Sequence, residues 1–187
     1  LQACNPDGRP GSSRVNVERC PALADPGREL LGPEQERWLQ TSLTQSPSTW
    51  NLIGQQTLLG TRNFGTPDQA AVWNDGWDGY PAARQRFTGL LGRLPTRNNV
   101  VLGGDVHENW VGHVKADYTQ PDSATVGVEF CGTSISSRSG GSGKTADYLA
   151  RNPHFVFADA QRKGYGVLDI TPQRLTATLR VVDDVTR

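Results

Sequence analysis

Near the middle of the chain, Asn98 to Trp110 reads NNVVLGGDVHENW, and it contains the residues best placed to do chemistry. Asp105 offers a hard carboxylate oxygen and His107, two residues on, an imidazole nitrogen, a donor pair that suits a divalent or trivalent cation. In an extended segment alternate side chains share a face, so the spacing predicts that both project together from the end of a strand. Gly103 and Gly104 just before them let the backbone approach closely. The plainer alternative is a turn in which Asp105 caps a loop and His107 is an ordinary surface residue, since G-D-x-H alone is a short motif.

The elements around this stretch must position it. Asn99 to Leu102 is β-branched and apolar, a short buried strand, and crevices at the C-terminal ends of such strands are where open α/β sheets place their chemistry. Gly32-Pro33-Glu34-Gln35-Glu36 opens a helix with Pro in its first turn and acids beside the positive end of the dipole. Trp38, Leu39 and Leu43 give that helix an apolar face, and Ser46-Pro47 ends it. A strand follows at Trp50 to Ile53, then a long irregular excursion over 54–79. Pro81 to Leu94 reads as a second helix with Phe87, Leu90, Leu91 and Leu94 inward. Beyond the central strand, Trp110 to Val114, Thr125 to Phe130, Phe155 to Phe157, Gly164 to Ile170 and Leu175 to Val182 read as strands, with a short helix over Thr145 to Ala150. This order predicts an α/β layered sandwich with an antiparallel portion.

The 187 residues suffice for one domain with a proper core, and 19 basic against 19 acidic residues give zero formal charge. No whole-chain field calls for nucleic acid or an anionic membrane, and no run of apolar residues is long enough for a membrane-spanning helix. The chain has no Met and opens on Leu1 amid polar sequence, which reads as the start of a processed piece. Cys4 and Cys20 lie in a Pro-, Gly- and Arg-rich stretch with little to form a core. We expect a disulfide between them, closing 1–32 into an ordered loop region ahead of a main unit over 33–187 and pointing to a secreted protein. The alternative is a pair of free thiols in a cytosolic loop. Cys131, in the apolar VGVEFCG, reads as a small buried hydrophobe.

Taken in order, LGPEQERWLQTSL, WNLIGQQ, WNDGWDGYPAARQRF, NNVVLGGDVHENW, VEFCGTSISS and NPHFVFADAQRKGYGVLDIT resemble the C-terminal half of the PhoD-like metallophosphoesterases, a family of alkaline phosphatases and secreted phospholipases D. The resemblance runs from about Leu31 to Thr171. It implies an α/β fold, the C-terminal half of a four-layer sandwich, and an active site of iron with calcium. It also implies that Asp105 and His107 are catalytic metal ligands, since Gly104-Asp105-Val106-His107 matches the family's last metal-binding motif. The family's earlier motifs, which supply the remaining ligands, have no counterpart here. We therefore expect a partner, the N-terminal chain of the same precursor in a heterodimer cut in an exposed loop. The reaction expected is hydrolysis of phosphate esters, mono- or diesters, with phospholipids among the substrates.

Other residues carry weaker signals. Trp77, Tyr80 and Arg84, in and after the Asp75–Tyr80 block, either line a substrate cleft or serve the core, with Asp78 capping the second helix and Arg84 paired to an acid. Asn109 and Trp110 are expected at the cleft rim beside Glu108, with Asn109 donating to substrate. His154 reads as a satisfied core residue and His113 as structural. The Ser134–Gly143 loop lacks the spaced glycine of a phosphate-binding loop, which disfavours nucleotide binding. The rival of another class is a non-catalytic secreted module, regulatory or substrate-binding, that covers a partner's active site.

Overall fold

The computed structural model describes residues 4–66, 68–96, 98–138, 143–183 and 185. Its centre is a sheet of five strands in the order β2-β4-β6-β5-β7, formed by Asn51–Gly54 (β2), Asn99–Gly103 (β4), Thr125–Cys131 (β6), Asn109–Lys115 (β5) and Phe155–Asp159 (β7). β2, β4 and β6 run parallel, with Val101 opposite Ile53 on one side and Glu129 on the other. β5 pairs antiparallel with both β6 and β7. A parallel core flanked by an antiparallel edge is the mixed α/β arrangement that the element order predicts.

Two helices cover one face. α1 (Pro33–Gln45) and α2 (Pro81–Arg93) both begin with proline, whose missing N–H costs nothing where no intrahelical acceptor exists. α2 buries Phe87, Leu90 and Leu91, with Leu94 just past its end, against Val101, Val114 and Val126 of the sheet. α1 contributes Leu43, with Leu39 packed beside it. Trp38 departs from expectation: it is 63% exposed, because one residue before Leu39 lies about 100° round the helix and off the buried stripe. On the same face, towards the end of the sheet where β4 and β6 finish, Leu58, Trp110, Cys131, Tyr148 and Phe155 form a second cluster, closed by the short helix α3 (Thr145–Arg151).

Cys4 and Cys20 are joined by a disulfide with their Cα atoms 5.3 Å apart, a normal span for such a bridge. The stapled segment is more than a loop. Arg14–Asn16 (β1) pairs antiparallel with Ala71–Trp73 (β3), Arg14 facing Trp73. Val15, Cys20, Leu23 and Val72 bury a small core of their own. Asn74 locks the segment further, its Nδ2 donating to Asn5 Oδ1 at 2.6 Å and its Oδ1 accepting from Ser13 N at 2.7 Å. Both strands are three residues long, too short to carry a period, which is why the sequence reads as irregular there. The last two strands, Lys163–Ile170 (β8) and Leu175–Val182 (β9), form a separate antiparallel ribbon.

Because the bridge closes a loop of 16 residues, its removal should lower stability by about 3 kcal/mol. Urea unfolding of the Cys4→Ser, Cys20→Ser double variant, compared with the oxidised protein, measures this; an unchanged midpoint would mean the β1–β3 pairing holds the segment unaided.

Candidate active site

β4 ends where it meets the 55–57 loop. A β-carbon at Gly103 would stand 2.2 Å from the Thr57 carbonyl oxygen, so only glycine permits this approach. The chain then turns sharply instead of continuing extended. Asp105 and His107 both take positive φ, 68° and 59°, a left-handed conformation costing roughly 1–3 kcal/mol for a residue with a side chain. The pair is therefore brought together by a turn and not by strand alternation, which corrects the geometry that the two-residue spacing suggested.

Several contacts hold this turn in place. Val106 N donates to Gly104 O at 2.8 Å. The His107 carbonyl accepts from Thr133 Oγ1 at 3.1 Å and from Lys163 Nζ at 3.2 Å. Cys131, buried as expected, donates its thiol to Gly104 O at 3.3 Å, and burial holds that thiol well above its ordinary pKa, hence neutral. The His107 ring donates from Nδ1 to Arg138 O at 2.8 Å. A carbonyl can only accept, so the proton sits on Nδ1 and the Nε2 lone pair is left for a cation. Asp105 is exposed, and among the described residues its carboxylate makes no hydrogen bond or ion pair. An open carboxylate beside an imidazole in the right tautomer is a donor set that fits a metal ion. No group of three His, Cys, Asp or Glu side chains converges among the described residues, so the two ligands would need others to complete a centre.

Asp105 and His107 open onto a cleft of about 340 Å³ whose walls include Arg14, Arg62, Phe64 and Asp75. Asp75 opens the block that the sequence offered for the cleft, whereas the other three did not stand out; Arg62 and Phe64 come from the irregular excursion, Arg14 from the stapled segment. Arg62 pairs with Glu108 at 2.9 Å, and Glu108 also accepts from Trp110 Nε1 at 2.8 Å. Burial lowers the Arg62 pKa, opposed by the charges of Glu108 and Asp78.

Trp77, Tyr80 and Arg84 do not line this cleft. Trp77 is buried and stacks on Phe87, its ring centroid 5.6 Å away, with Nε1 donating to Gln55 Oε1 at 2.9 Å. Tyr80 packs on the α2 core beneath the Arg28 guanidinium, 4.6 Å from its ring centroid. Arg84 is buried and ion-paired with Asp78. Asp78 caps no helix: its other oxygen accepts from Arg62 N at 2.9 Å, while Tyr80 begins α2 without a side-chain cap. Asn109 and Trp110 are likewise interior, Trp110 fully so. β5 has already begun at Asn109, and Asn109 Oδ1 accepts from Thr133 N at 3.1 Å, so neither side chain reaches the rim. His154 is satisfied, donating from Nε2 to Thr61 O at 2.8 Å, and burial pulls its pKa down to about 4. His113 is exposed. The Ser134–Gly143 loop lies partly outside the described residues.

The loop that carries Arg62 is fixed by Glu129, a residue that sequence reading passed over. Its side chain is fully enclosed within β6, accepting from Leu59 N at 2.5 Å and Gly60 N at 2.9 Å. A lone acid inside the apolar VGVEFC run was the available signal, since charged residues are rarely buried without partners.

The PhoD-like phosphatase profile matches residues 3–179, nearly the whole chain. The chain belongs to the PhoD-like phosphatase family. Among its relatives, alkaline phosphatase D of Bacillus subtilis (strain 168) is 41% identical over 165 residues, which cover 87% of this chain and 28% of that protein. A solved structure of PhoD superposes with a TM-score of 0.84 at 37% identity, covering 95% of this chain and 34% of that one. This PhoD-like chain thus spans about a third of the length of the relatives it matches.

Desolvation pushes the Glu129 carboxyl up to about 7 from an ordinary 4.5, against the pull of the two amides. Between those values the folded chain holds more protons than the unfolded one, so stability falls as pH rises from 4.5 to 7. Urea midpoints across that range should show the decline, and Glu129→Gln should flatten it while lowering stability throughout, since an amide offers one acceptor for two donors. A pH slope unaltered in Glu129→Gln would assign the effect elsewhere.

Proposed function

We propose that this chain is one part of a secreted, metal-dependent phosphoesterase, and that Asp105 and His107 are its contribution to an iron- and calcium-containing centre. The observation that carries the reading is the left-handed turn at the end of β4, which puts into one cleft an open carboxylate and an imidazole whose Nε2 lone pair is, among the described residues, unengaged. Membership of the PhoD-like phosphatases supports the phosphoester chemistry, and the Cys4–Cys20 disulfide supports an oxidising, extracellular setting. The remaining ligands would come from an upstream segment of the same precursor, present as a separate N-terminal chain. Two protein donors fall short of a complete centre, and the relatives are about three times as long.

When bound, such a centre supplies Lewis-acid neutralisation of the phosphoryl oxygens and a more acidic attacking water. The chain's own residues do the rest. Arg138 O keeps the His107 proton on Nδ1, so Nε2 stays a lone-pair donor. Thr133 and Lys163 hold the His107 carbonyl, which keeps the strained turn from relaxing. Glu108 neutralises Arg62 next to the site, and the cleft walls orient the ester. Phosphomonoesters and phosphodiesters, phospholipids among them, are the substrate class.

The ligand assignment is tested by His107→Ala in the enzyme completed by its upstream segment. Since removing even an outer-shell partner of a metal ligand costs 10–100-fold, loss of the ligand should reduce hydrolysis of bis(4-nitrophenyl) phosphate at least about 100-fold. Metal content by mass spectrometry should fall with it, while the circular dichroism spectrum is retained. Full turnover with full metal content would refute the assignment. Metal loss without loss of turnover would leave His107 a ligand outside the reaction.

A further inference from the structure

The geometry points to a second anion subsite in the same cleft, built on Arg14, for a charged group of the substrate other than the phosphate being cleaved. The inference rests on the phosphoesterase reading of Asp105 and His107. Its basis is a stack of side chains in the wall of that cleft. Glu108, next to His107, pairs with Arg62. The Arg62 guanidinium lies over the Phe64 ring, 4.5 Å from its centroid. Arg14 lies over the same ring at 4.1 Å and reaches Tyr148 at 5.9 Å. Arg14 and His107 thus line the same cleft, with Arg14 on the Phe64 ring beside Arg62.

The two guanidiniums differ in one respect. Arg62 is largely covered, its side chain 11% exposed, and neutralised by Glu108, whereas Arg14 is exposed and, among the described residues, has no ion pair. Asp75 lines the cleft too, but no hydrogen bond or ion pair joins it to Arg14. An Arg laid flat on an aromatic ring keeps its edge donors outward and loses little freedom on binding, which suits a phosphate or carboxylate. Its backbone is equally fixed: Arg14 faces Trp73 across the β1–β3 pair, inside the segment that the Cys4–Cys20 bridge closes. The stapled segment is thus a substrate-reading wall. The substrates it favours carry a second anionic group, as in esters with a further phosphate or an acidic head group.

Two matched diesters test this: 4-nitrophenyl phenyl phosphate, and its analogue bearing a phosphonate on the phenyl ring. The enzyme should prefer the phosphonate analogue through KM, and Arg14→Ala should lower that preference roughly tenfold, the value of one exposed charge-assisted contact. Arg14→Lys should restore part of it. An equal loss on both substrates would place Arg14 on the cleaved phosphate, and an unchanged ratio would remove it from recognition; either overturns the subsite. Titration of phenylphosphonate by calorimetry gives a reading independent of turnover, with binding expected to weaken by a similar factor in Arg14→Ala; equal affinities overturn the inference. If neither diester is turned over by the unsubstituted enzyme, the phosphoesterase reading fails, and the titration still decides whether Arg14 binds the anion.

Discussion

A single buried carboxylate governs the shape of the cleft. Glu129 sits in the middle of the central sheet and receives the backbone amides of Leu59 and Gly60, which lie in a stretch with no regular structure of its own. Without a partner, those amides would be orphaned in the interior, at a cost comparable to a lost hydrogen bond each. Glycine is required at position 60, where a β-carbon would meet the Phe155 ring at 2.8 Å. From this anchor the chain runs through Thr61, whose carbonyl His154 holds, to Arg62 and Phe64 at the cleft and Asn63 in the grip of Asn152. The buried Leu58 and Leu59 and these polar contacts together hold a loop without regular structure, which is what lets Arg62 and Phe64 act as walls.

The turn after β4 follows the same logic with strain added. Asp105 and His107 occupy a conformation that an unconstrained chain would leave, and the surrounding hydrogen bonds over-determine it. Strain of this kind persists where a side chain must be aimed and the scaffold can hold it there. The tautomer of His107 is fixed by one carbonyl, Arg138 O, from a part of the chain distant in sequence. Fold, strain and proton position are thus linked at one point: the parallel strands deliver the turn, Thr133 and Lys163 pin its backbone, and Arg138 sets its chemistry.

The stapled segment shows how a region with almost no core can still form part of the cleft wall. Its apolar content amounts to Val15, Cys20, Leu23 and Val72, too little to hold it by burial alone. The disulfide limits its freedom when unfolded, the Asn5–Asn74 and Ser13–Asn74 hydrogen bonds fix its register, and the short pairing with β3 turns Arg14 toward Phe64. Charge at the cleft is sorted by the same packing. Arg84 and Arg62 are both drawn inside and matched to acids, whereas Arg14 is left at the opening.

The sequence by itself determined the long elements and set a carboxylate and an imidazole two residues apart in the central motif. α1, α2 and the strands around Asp105 carry apolar periods of 3.6 or 2 and proline or glycine punctuation, which are local signals that depend on burial of one face. The cysteine spacing in a coreless stretch likewise pointed to the bridge between Cys4 and Cys20. Only the tertiary structure decided which polar residues face the cleft. Trp77, Tyr80 and Arg84 could by sequence serve either the cleft or the core, and the packing against α2 puts them in the interior, while Asn109 and Trp110 are drawn inside because β5 starts one residue after Glu108. Arg14, Arg62 and Phe64 meet from segments about fifty residues apart, through Glu129's hydrogen bonds and the β1–β3 pair. Hydrogen bonds between residues so distant in the chain leave no period and no motif, so nothing in the linear order records them.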